Sequence, residues 1–278
     1  MFTSGLLNAD LRRRLEALNR EQLTALPHPF AAADGGARRI DTAHTASPQR
    51  GLEMLRGAVE SGPCGAHYRV RRPLVEFWRQ AAAEIIAWQR DPPAPVGEDR
   101  PRDAELTAFA QHFPSETLFL DLETVGFAGS MVFLIGLIRF DGSALVVDQL
   151  LARDYSEEAA LLGTLGQILA QQRVLVTFNG KSFDSPMLAD RLARHRLPEL
   201  AREPLVHCDL LHHARRRWKT RLPDCKLQTL ERVVCRRRRA GDIPGAEIPG
   251  VYHEFVRTGD AARLARVLEH NALDLITL

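Results

Sequence analysis

The sequence predicts an α/β fold, in which helices cover the faces of a mixed β-sheet. Three apolar, β-rich runs lie between residues 117 and 151, and turn residues separate them. Two further apolar runs follow, at 174–178 and 205–208, and helical patterns lie between and after them. The order of three strands, helix, strand, helix, strand and then helices is typical of a sheet with helices packed on its faces.

Local sequence signals mark the boundaries of the elements predicted after residue 105. The turn at 141–143 (DGS) joins two strands as a hairpin, and Ser156 with two following acids begins a helix. The predicted strands are 117–122, 131–140, 144–151, 174–178 and 205–208. The predicted helices are 156–171, 184–195 and, with a break at 236–249, the remainder from 209 to 278.

The first 105 residues differ from this regular part. Helical patterns at 1–25 and 75–88 and a short strand at 68–72 are separated by Pro/Gly-rich linkers at 26–50 and 91–103. We therefore predict two domains: residues 1–105 as a poorly defined, partly helical N-terminal extension, and residues 106–278 as the functional domain. Nothing in the sequence assigns a role to the extension.

Composition excludes several classes of protein. Of the 278 residues, 45% are hydrophobic and 26% charged, and the net charge is +2, which is typical of a soluble globular chain rather than a disordered or fibrous one. The longest uncharged apolar stretch, 126–138, is shorter than the roughly 20 residues of a membrane span. Residues 1–14 lack the pattern of a secretory signal, so we expect a cytoplasmic protein without membrane contact.

Four cysteines occur without a CxxC spacing, which is typical of reduced cytoplasmic thiols. A zinc site built from Cys225, Cys235 and His212 or His213 stays open as an alternative, although the paired short spacings of structural zinc are missing.

Two carboxylates stand at the end of the first regular strand. Asp121 and Glu123 flank Leu122, so the alternation of a strand places both acids on one face. Like charges at the end of a buried strand repel each other, and a bound cation relieves that repulsion. The alternative is a solvated strand end with acids by chance.

A third carboxylate follows a later strand. The strand at 174–178 leads into an Asn179–Gly180 turn, and Asp184 stands at the start of the next helix. Ligands in open α/β sheets bind outside the carboxyl ends of strands, so Asp184 lies near Asp121 if the two strands are neighbours. A role as helix cap is the simpler alternative.

The last helix carries His270 and Asp274 four residues apart, which puts both side chains on one helix face. An imidazole beside a carboxylate suits either a general base or a pair of metal ligands. An ordinary surface pair is the alternative.

Together, these motifs resemble the DEDD superfamily of 3′–5′ exonucleases, whose fold is ribonuclease H-like. Residues 120–124 (LDLET) look like its first motif, 179–186 (NGKSFDSP) like its second and 270–274 (HNALD) like its third. Residues 241–245 (GDIPG) through 271 resemble, more closely still, the prokaryotic YprB-type ribonuclease H-like domain proteins. The resemblance covers about 117–278. One departure stands out: superfamily members with histidine usually place it five residues before the last aspartate, not four.

The resemblance implies a metal-dependent 3′–5′ exonuclease with two Mg²⁺ or Mn²⁺ ions, which carboxylate oxygens suit. In that scheme Asp121 bridges both ions, Glu123 and Asp184 complete the shell, Asp274 holds the ion that carries the attacking water, and His270 takes its proton. The four carboxylates are then expected within about 8 Å of one another. The implied partner is DNA or RNA, with a single-stranded 3′ end.

A basic segment at 202–239, with 12 basic and 4 acidic residues, is the candidate contact for phosphates. The candidate nucleic-acid contacts are Lys181, Arg215, Arg216, Arg217, Trp218, Arg236, Arg237, Arg238 and Arg239. A solvated helical face is the alternative for this segment. For the whole domain, two alternatives stay open: a non-catalytic nucleic-acid-binding module with the same fold, or a ribonuclease H-type endonuclease.

Overall fold

A computed structural model describes residues 51–77, 103–126, 129–197, 205–239 and 241–278. The chain separates into two units, Met1–Thr45 and Ala46–Leu278, and all described residues belong to the second. The predicted helix at 1–25, the linker at 26–50, and most of the helix predicted at 75–88 and of the linker at 91–103 lie outside the described residues.

The described strands form one mixed sheet of seven strands in the order β1-β2-β5-β4-β3-β6-β7. The strands are β1 Ala58–Gly62, β2 Gly65–Pro73, β3 Thr117–Thr124, β4 Val132–Phe140, β5 Leu145–Leu151, β6 Val174–Thr177 and β7 Val206–Asp209. The pairs β1–β2, β2–β5, β5–β4 and β4–β3 are antiparallel, whereas β3–β6 and β6–β7 are parallel. The mixed sheet predicted from the sequence is therefore confirmed.

Most of the described helices lie where the sequence patterns indicated them, whereas the helix Ala104–His112 was not predicted. They are α1 Leu74–Phe77, α2 Ala104–His112, α3 Glu158–Leu169, α4 Asp184–Arg194, α5 Leu210–Trp218, α6 Leu227–Val233, α7 Ile248–Thr258 and α8 Leu264–Thr277. Two 3₁₀ turns, Leu52–Leu55 and Gly245–Glu247, complete the described elements. Among the described helices, none combines the length and the apolar character that a membrane span needs.

The core is built around β4, whose residues from Val132 to Ile138 are all buried. A strand that is apolar at every position is covered on both faces, which explains the unbroken apolar run in the sequence. Helix α8 packs against β3 and β4, and α3 packs against β1, β2 and β4. The central strands thus hold α8 at a fixed place beside β3.

The hairpin of β1 and β2 extends the sheet beyond β5. Residues Tyr68 to Pro73 of β2 pair with the whole length of β5. Residues 58–73, which the sequence analysis assigned to the N-terminal extension, therefore belong to the same sheet as the strands after residue 105. Arginines alternate with apolar residues in β2, because Arg69 and Arg71 face the buried carboxylate of Asp148.

Candidate active site

Strand β3 brings two carboxylates to the edge where β6 ends. The parallel pairing of β3 with β6 runs only from Thr117 to Phe119, so the rest of β3 extends past the carboxyl end of β6. Asp121 and Glu123 lie in this extension, on one face of the strand. The backbone N–H of Leu122 donates to the carboxylate of Asp184, which stands at the start of α4. The two strands are thus neighbours, which is the condition under which the sequence placed Asp184 near Asp121.

Helix α8 supplies the rest of the site and fixes Asp121. Asn271, fully buried, donates from Nδ2 to Oδ2 of Asp121 at 2.8 Å and accepts at Oδ1 from Nε2 of Gln149 at 2.9 Å. Gln149 also donates to the carbonyl of Leu268 at 2.8 Å. The sequence analysis quoted Asn271 within a motif but gave it no role. Its buried amide ties α8 to both β3 and β5.

Three of the carboxylates repel one another. Burial raises the pKa of Asp121 well above its ordinary value, and the charges of Glu123, Asp274 and Asp184 raise it further. Burial raises the pKa of Glu123 to about 8, with Asp274 and Asp184 adding to the effect and His270 opposing it. The pKa of Asp184 rises to about 7, chiefly through burial. This concentration of buried acidic oxygens favours a bound cation.

Asp274 differs from the other three because it has positive partners. Arg239 donates from Nη2 to Oδ1 of Asp274 at 2.5 Å, and Nε2 of His270 lies 3.4 Å from Oδ2. Burial alone would raise the pKa of Asp274, but the hydrogen bond from His270 and the charge of Arg239 lower it. Asp274 is therefore ionised and already oriented.

His270 is held between two carboxylates. Its Nδ1 lies 2.7 Å from Oδ1 of Asp242, and its Nε2 faces Asp274. Burial alone would lower the pKa of His270, but its hydrogen bonds to Asp274 and Asp242 and the charges of Asp274 and Glu123 raise it to about 9. Sequence reasoning missed Asp242 as a site residue, although it stands in the quoted GDIPG motif.

The loop before Asp184 is organised by a buried aspartate on β7. Asp209 accepts from the backbone N–H groups of Asn179 at 2.7 Å and Lys181 at 3.1 Å, and it also caps α5 through Leu211. Asn179 has a positive φ of 66°, which asparagine tolerates better than most residues. One fully buried carboxylate thus fixes the turn that delivers Asp184, and no sequence pattern identified it.

A cleft of about 620 Å³ adjoins Asp184. Its lining includes Leu122, Asp184, Met187 and Phe183, and Phe183 is 67% exposed. An exposed aromatic ring beside an apolar cleft offers a stacking surface for a nucleobase.

Some of the predicted nucleic-acid contacts are exposed to solvent and others are not. Arg215, Arg217, Arg236 and Arg238 are exposed, and Trp218 is half-buried. Lys181 lies exposed beside the turn, with Nζ 2.6 Å from Glu105. Arg216 pairs with Asp103.

Arg237 and Arg239 instead point inward. Their Nε atoms donate to the two oxygens of Glu231, at 2.7 and 2.6 Å, and only 6% of the Arg239 side chain is exposed. The run from Arg236 to Arg239 is thus not one solvated surface, because the buried charge of Glu231 draws alternate arginines inward.

A mixed group of ligand atoms lies apart from these carboxylates. In the part of the chain that the structure describes, Glu105, Cys208 and His213 bring one ligand atom each within 4.8 Å of one another. The ring of His213 is already engaged on both sides, since Nδ1 meets Arg216 at 2.7 Å and Nε2 meets Glu105 at 3.0 Å. Cys225 and Cys235, the thiols of the zinc alternative, do not belong to this group.

Comparison with known proteins identifies the family of this domain. A model of the RNase_H superfamily matches residues 118–278. Over 166 residues the chain is 37% identical to the uncharacterized protein YprB of Bacillus subtilis (strain 168), a match that covers 58% of this chain and 39% of YprB. The chain thus spans about two-fifths of the length of that curated relative.

Among solved structures, the family B DNA polymerase of the hyperthermophilic archaeon Pyrobaculum calidifontis is 15% identical, with a TM-score of 0.48. That alignment covers 59% of this chain and 23% of the polymerase chain.

Proposed function

This chain belongs to the RNase_H superfamily, and we propose that it hydrolyses phosphodiester bonds of nucleic acid, as a 3′–5′ exonuclease that uses two divalent cations. The observation that carries the proposal is that Asp121, Glu123 and Asp184, beside the carboxyl end of β6, lie close enough to Asp274 of α8 for their charges to interact. Burial raises the pKa of the first three, and the charges of neighbouring acids raise the pKa of Asp121 and Glu123 further, so the carboxylates next to Asp274 hold more negative charge than their surroundings balance.

The donor set fits Mg²⁺ or Mn²⁺. All four side chains offer hard oxygen ligands, and the hydrogen bonds to Asp121 and Asp184 come from neutral donors, an amide and backbone N–H groups. Cations held by these carboxylates would activate a water and stabilise the charge that develops on the phosphate.

The chain's own residues would position the substrate. Phe183 beside the cleft suits stacking of a terminal base, and Lys181 with the exposed Arg215 and Arg217 suits phosphate contacts. Asn271 keeps Asp121 in one orientation throughout.

We propose His270 as the group that accepts the proton of the attacking water. With a pKa raised to about 9 by Asp274 and Asp242, the ring carries a proton at neutral pH, so it becomes an acceptor only when the negative charge around it is neutralised. His270→Ala is expected to lower single-turnover rates by about 10²–10⁴-fold. If this variant keeps both the rate and the pH profile of the wild type, His270 is not the base.

The activity is tested with 5′-labelled DNA and RNA oligonucleotides in parallel, with Mg²⁺, with Mn²⁺ and with a chelator. A ladder that grows from the 3′ end and needs a cation supports the proposal. Asp121→Asn is expected to abolish it, whereas Asp260→Asn, an exposed acid in the turn before α8, retains it.

Other product patterns would overturn the exonuclease proposal. Internal cuts indicate the ribonuclease H-type endonuclease, and binding without cleavage indicates the non-catalytic module.

A further inference from the structure

We infer that Asp242 and Arg239 are positioning residues, which hold His270 and Asp274 in the one orientation that the proposed hydrolysis uses. This inference rests on the proposed function. It also changes the role of Arg239, which the sequence analysis treated as a phosphate contact.

The four side chains form a closed ring of hydrogen bonds and ion pairs. Asp242 contacts His270 at 2.7 Å, and His270 faces Asp274 at 3.4 Å. Arg239 closes the ring, since Nη2 meets Asp274 at 2.5 Å and Nη1 meets Oδ2 of Asp242 at 3.2 Å. Each of the two carboxylates therefore has one oxygen toward the imidazole and one toward the guanidinium.

Asp242 determines which ring nitrogen of His270 carries the proton in the neutral form. A carboxylate oxygen is only an acceptor, so the 2.7 Å contact requires a proton on Nδ1. Nε2 is then the nitrogen that faces Asp274. Fixing the tautomer and ring plane through the second nitrogen is a common way to orient a functional histidine.

Arg239 is itself held in place by a buried acid. Glu231 of α6, whose side chain is 3% exposed, accepts from Nε of Arg239 at 2.6 Å and from Nε of Arg237 at 2.7 Å. The guanidinium therefore serves three carboxylates at once, through three different nitrogens. A lysine offers one point charge and no rigid fork, so it cannot reproduce these contacts.

The loop that carries Asp242 is tied to the helix that carries His270. Gly241 adopts a positive φ of 72°, and its carbonyl accepts from Arg266 of α8 at 2.7 Å. The backbone N–H of Ile243 donates to Oδ1 of Asp242 at 2.9 Å, and the Ile243 side chain is buried. Both ends of the Asp242–His270 contact are thus fixed relative to α8.

The test combines kinetics with a readout that does not depend on activity. In full-length protein, Asp242→Ala and Arg239→Lys are expected to lower kcat for oligonucleotide hydrolysis by about 10–100-fold, with KM nearly unchanged. The matched controls are Asp260→Ala and Arg257→Gln, which should leave kcat unchanged. Both residues are exposed, and neither belongs to the ring of four side chains. If the variants instead bind the oligonucleotide more weakly and keep kcat, Arg239 is a phosphate contact and the inference is wrong.

Proton NMR with ¹⁵N labelling reports the orientation directly. The Nδ1–H signal of His270, identified by its loss in His270→Gln, should disappear or shift strongly in Asp242→Ala but not in Asp260→Ala. An unchanged signal overturns the inference even if the wild type is an active exonuclease. Conversely, a wild type that cleaves nothing but shows the Asp242-dependent signal supports the positioning contact and refutes the proposed function.

Discussion

Gly136 leaves the space in which the site's buried amide sits, so Gly136→Ala is expected to destabilise the protein. Gly136 lies opposite Asp121 in the β3–β4 ladder. A Cβ built at this position would lie 1.9 Å from Oδ1 and 2.6 Å from Cγ of Asn271. Asn271 is 0% exposed and bonded to both Asp121 and Gln149, so its amide has no open space to move into.

Two terms give the magnitude. Forcing an extra methyl group into a packed core costs about 1–3 kcal/mol. Displacing the Asn271 amide leaves buried polar groups unpaired, at a further cost of about 1–3 kcal/mol. The sum, about 2–6 kcal/mol, lowers the Tm of a domain of this size by at least about 4 °C.

The assay is urea or thermal unfolding with a matched control and a double-mutant cycle. Gly250→Ala, on α7 where a Cβ meets nothing within 4 Å, is expected to stabilise by about 0.5–1 kcal/mol. Because Asn271→Ala removes the clashing atoms, adding Gly136→Ala to it should cost almost nothing. If Gly136→Ala is as stable as the wild type, or if the two changes are additive, the packing argument is wrong.

Two further predictions concern buried and exposed charge. Burial alone would raise the pKa of Asp148, but hydrogen bonds from two arginines hold it below its ordinary value. The contribution of Asp148 to the free energy of unfolding is therefore complete above about pH 4 and is lost as the pH falls through the lowered pKa. Asp148→Asn should therefore lower the free energy of unfolding by about 3–5 kcal/mol at pH 7. The difference in stability between the wild type and this variant should shrink in acid, and an equal loss of stability at every pH would contradict the prediction. The second prediction concerns the exposed arginines and is checked by measuring oligonucleotide binding at several salt concentrations. In the double variant Arg215→Gln/Arg217→Gln, the slope of the logarithm of the binding constant against the logarithm of salt concentration should become shallower by about 0.7 for each phosphate contact with a single strand that is lost, whereas Arg257→Gln should leave the slope unchanged.

The sequence was informative where a local pattern decides the structure. The apolar runs from Thr117 onward predicted β3 to β7 to within about two residues, because buried central strands have no polar alternation. The carboxylates at the strand ends were predictable for a related reason, since the carboxyl ends of neighbouring strands meet at one edge. The hairpin of β1 and β2 was not predicted in full, because its arginines depend on a distant buried acid, Asp148.

The supporting residues of the site depend on contacts far apart in the chain. Asn271 meets Asp121 across 150 residues, and Asp209 meets Asn179 across 30. No spacing rule reports such pairs. In the same way, a run of four arginines indicates a basic surface by composition, and only the position of Glu231 determines that Arg237 and Arg239 point inward.

The four-residue spacing between His270 and Asp274 has a geometric consequence in this structure. Successive helix residues are rotated by about 100°, so a partner four residues away is offset by about 40°, and one five residues away by about 140°. Only the shorter spacing lets Nε2 of His270 lie 3.4 Å from Asp274 on the same face of α8. The other ring nitrogen, Nδ1, lies 2.7 Å from Oδ1 of Asp242. The four-residue spacing is therefore the one that an Asp242–His270–Asp274 arrangement needs, and Arg239 contacts both of the carboxylates that flank the imidazole.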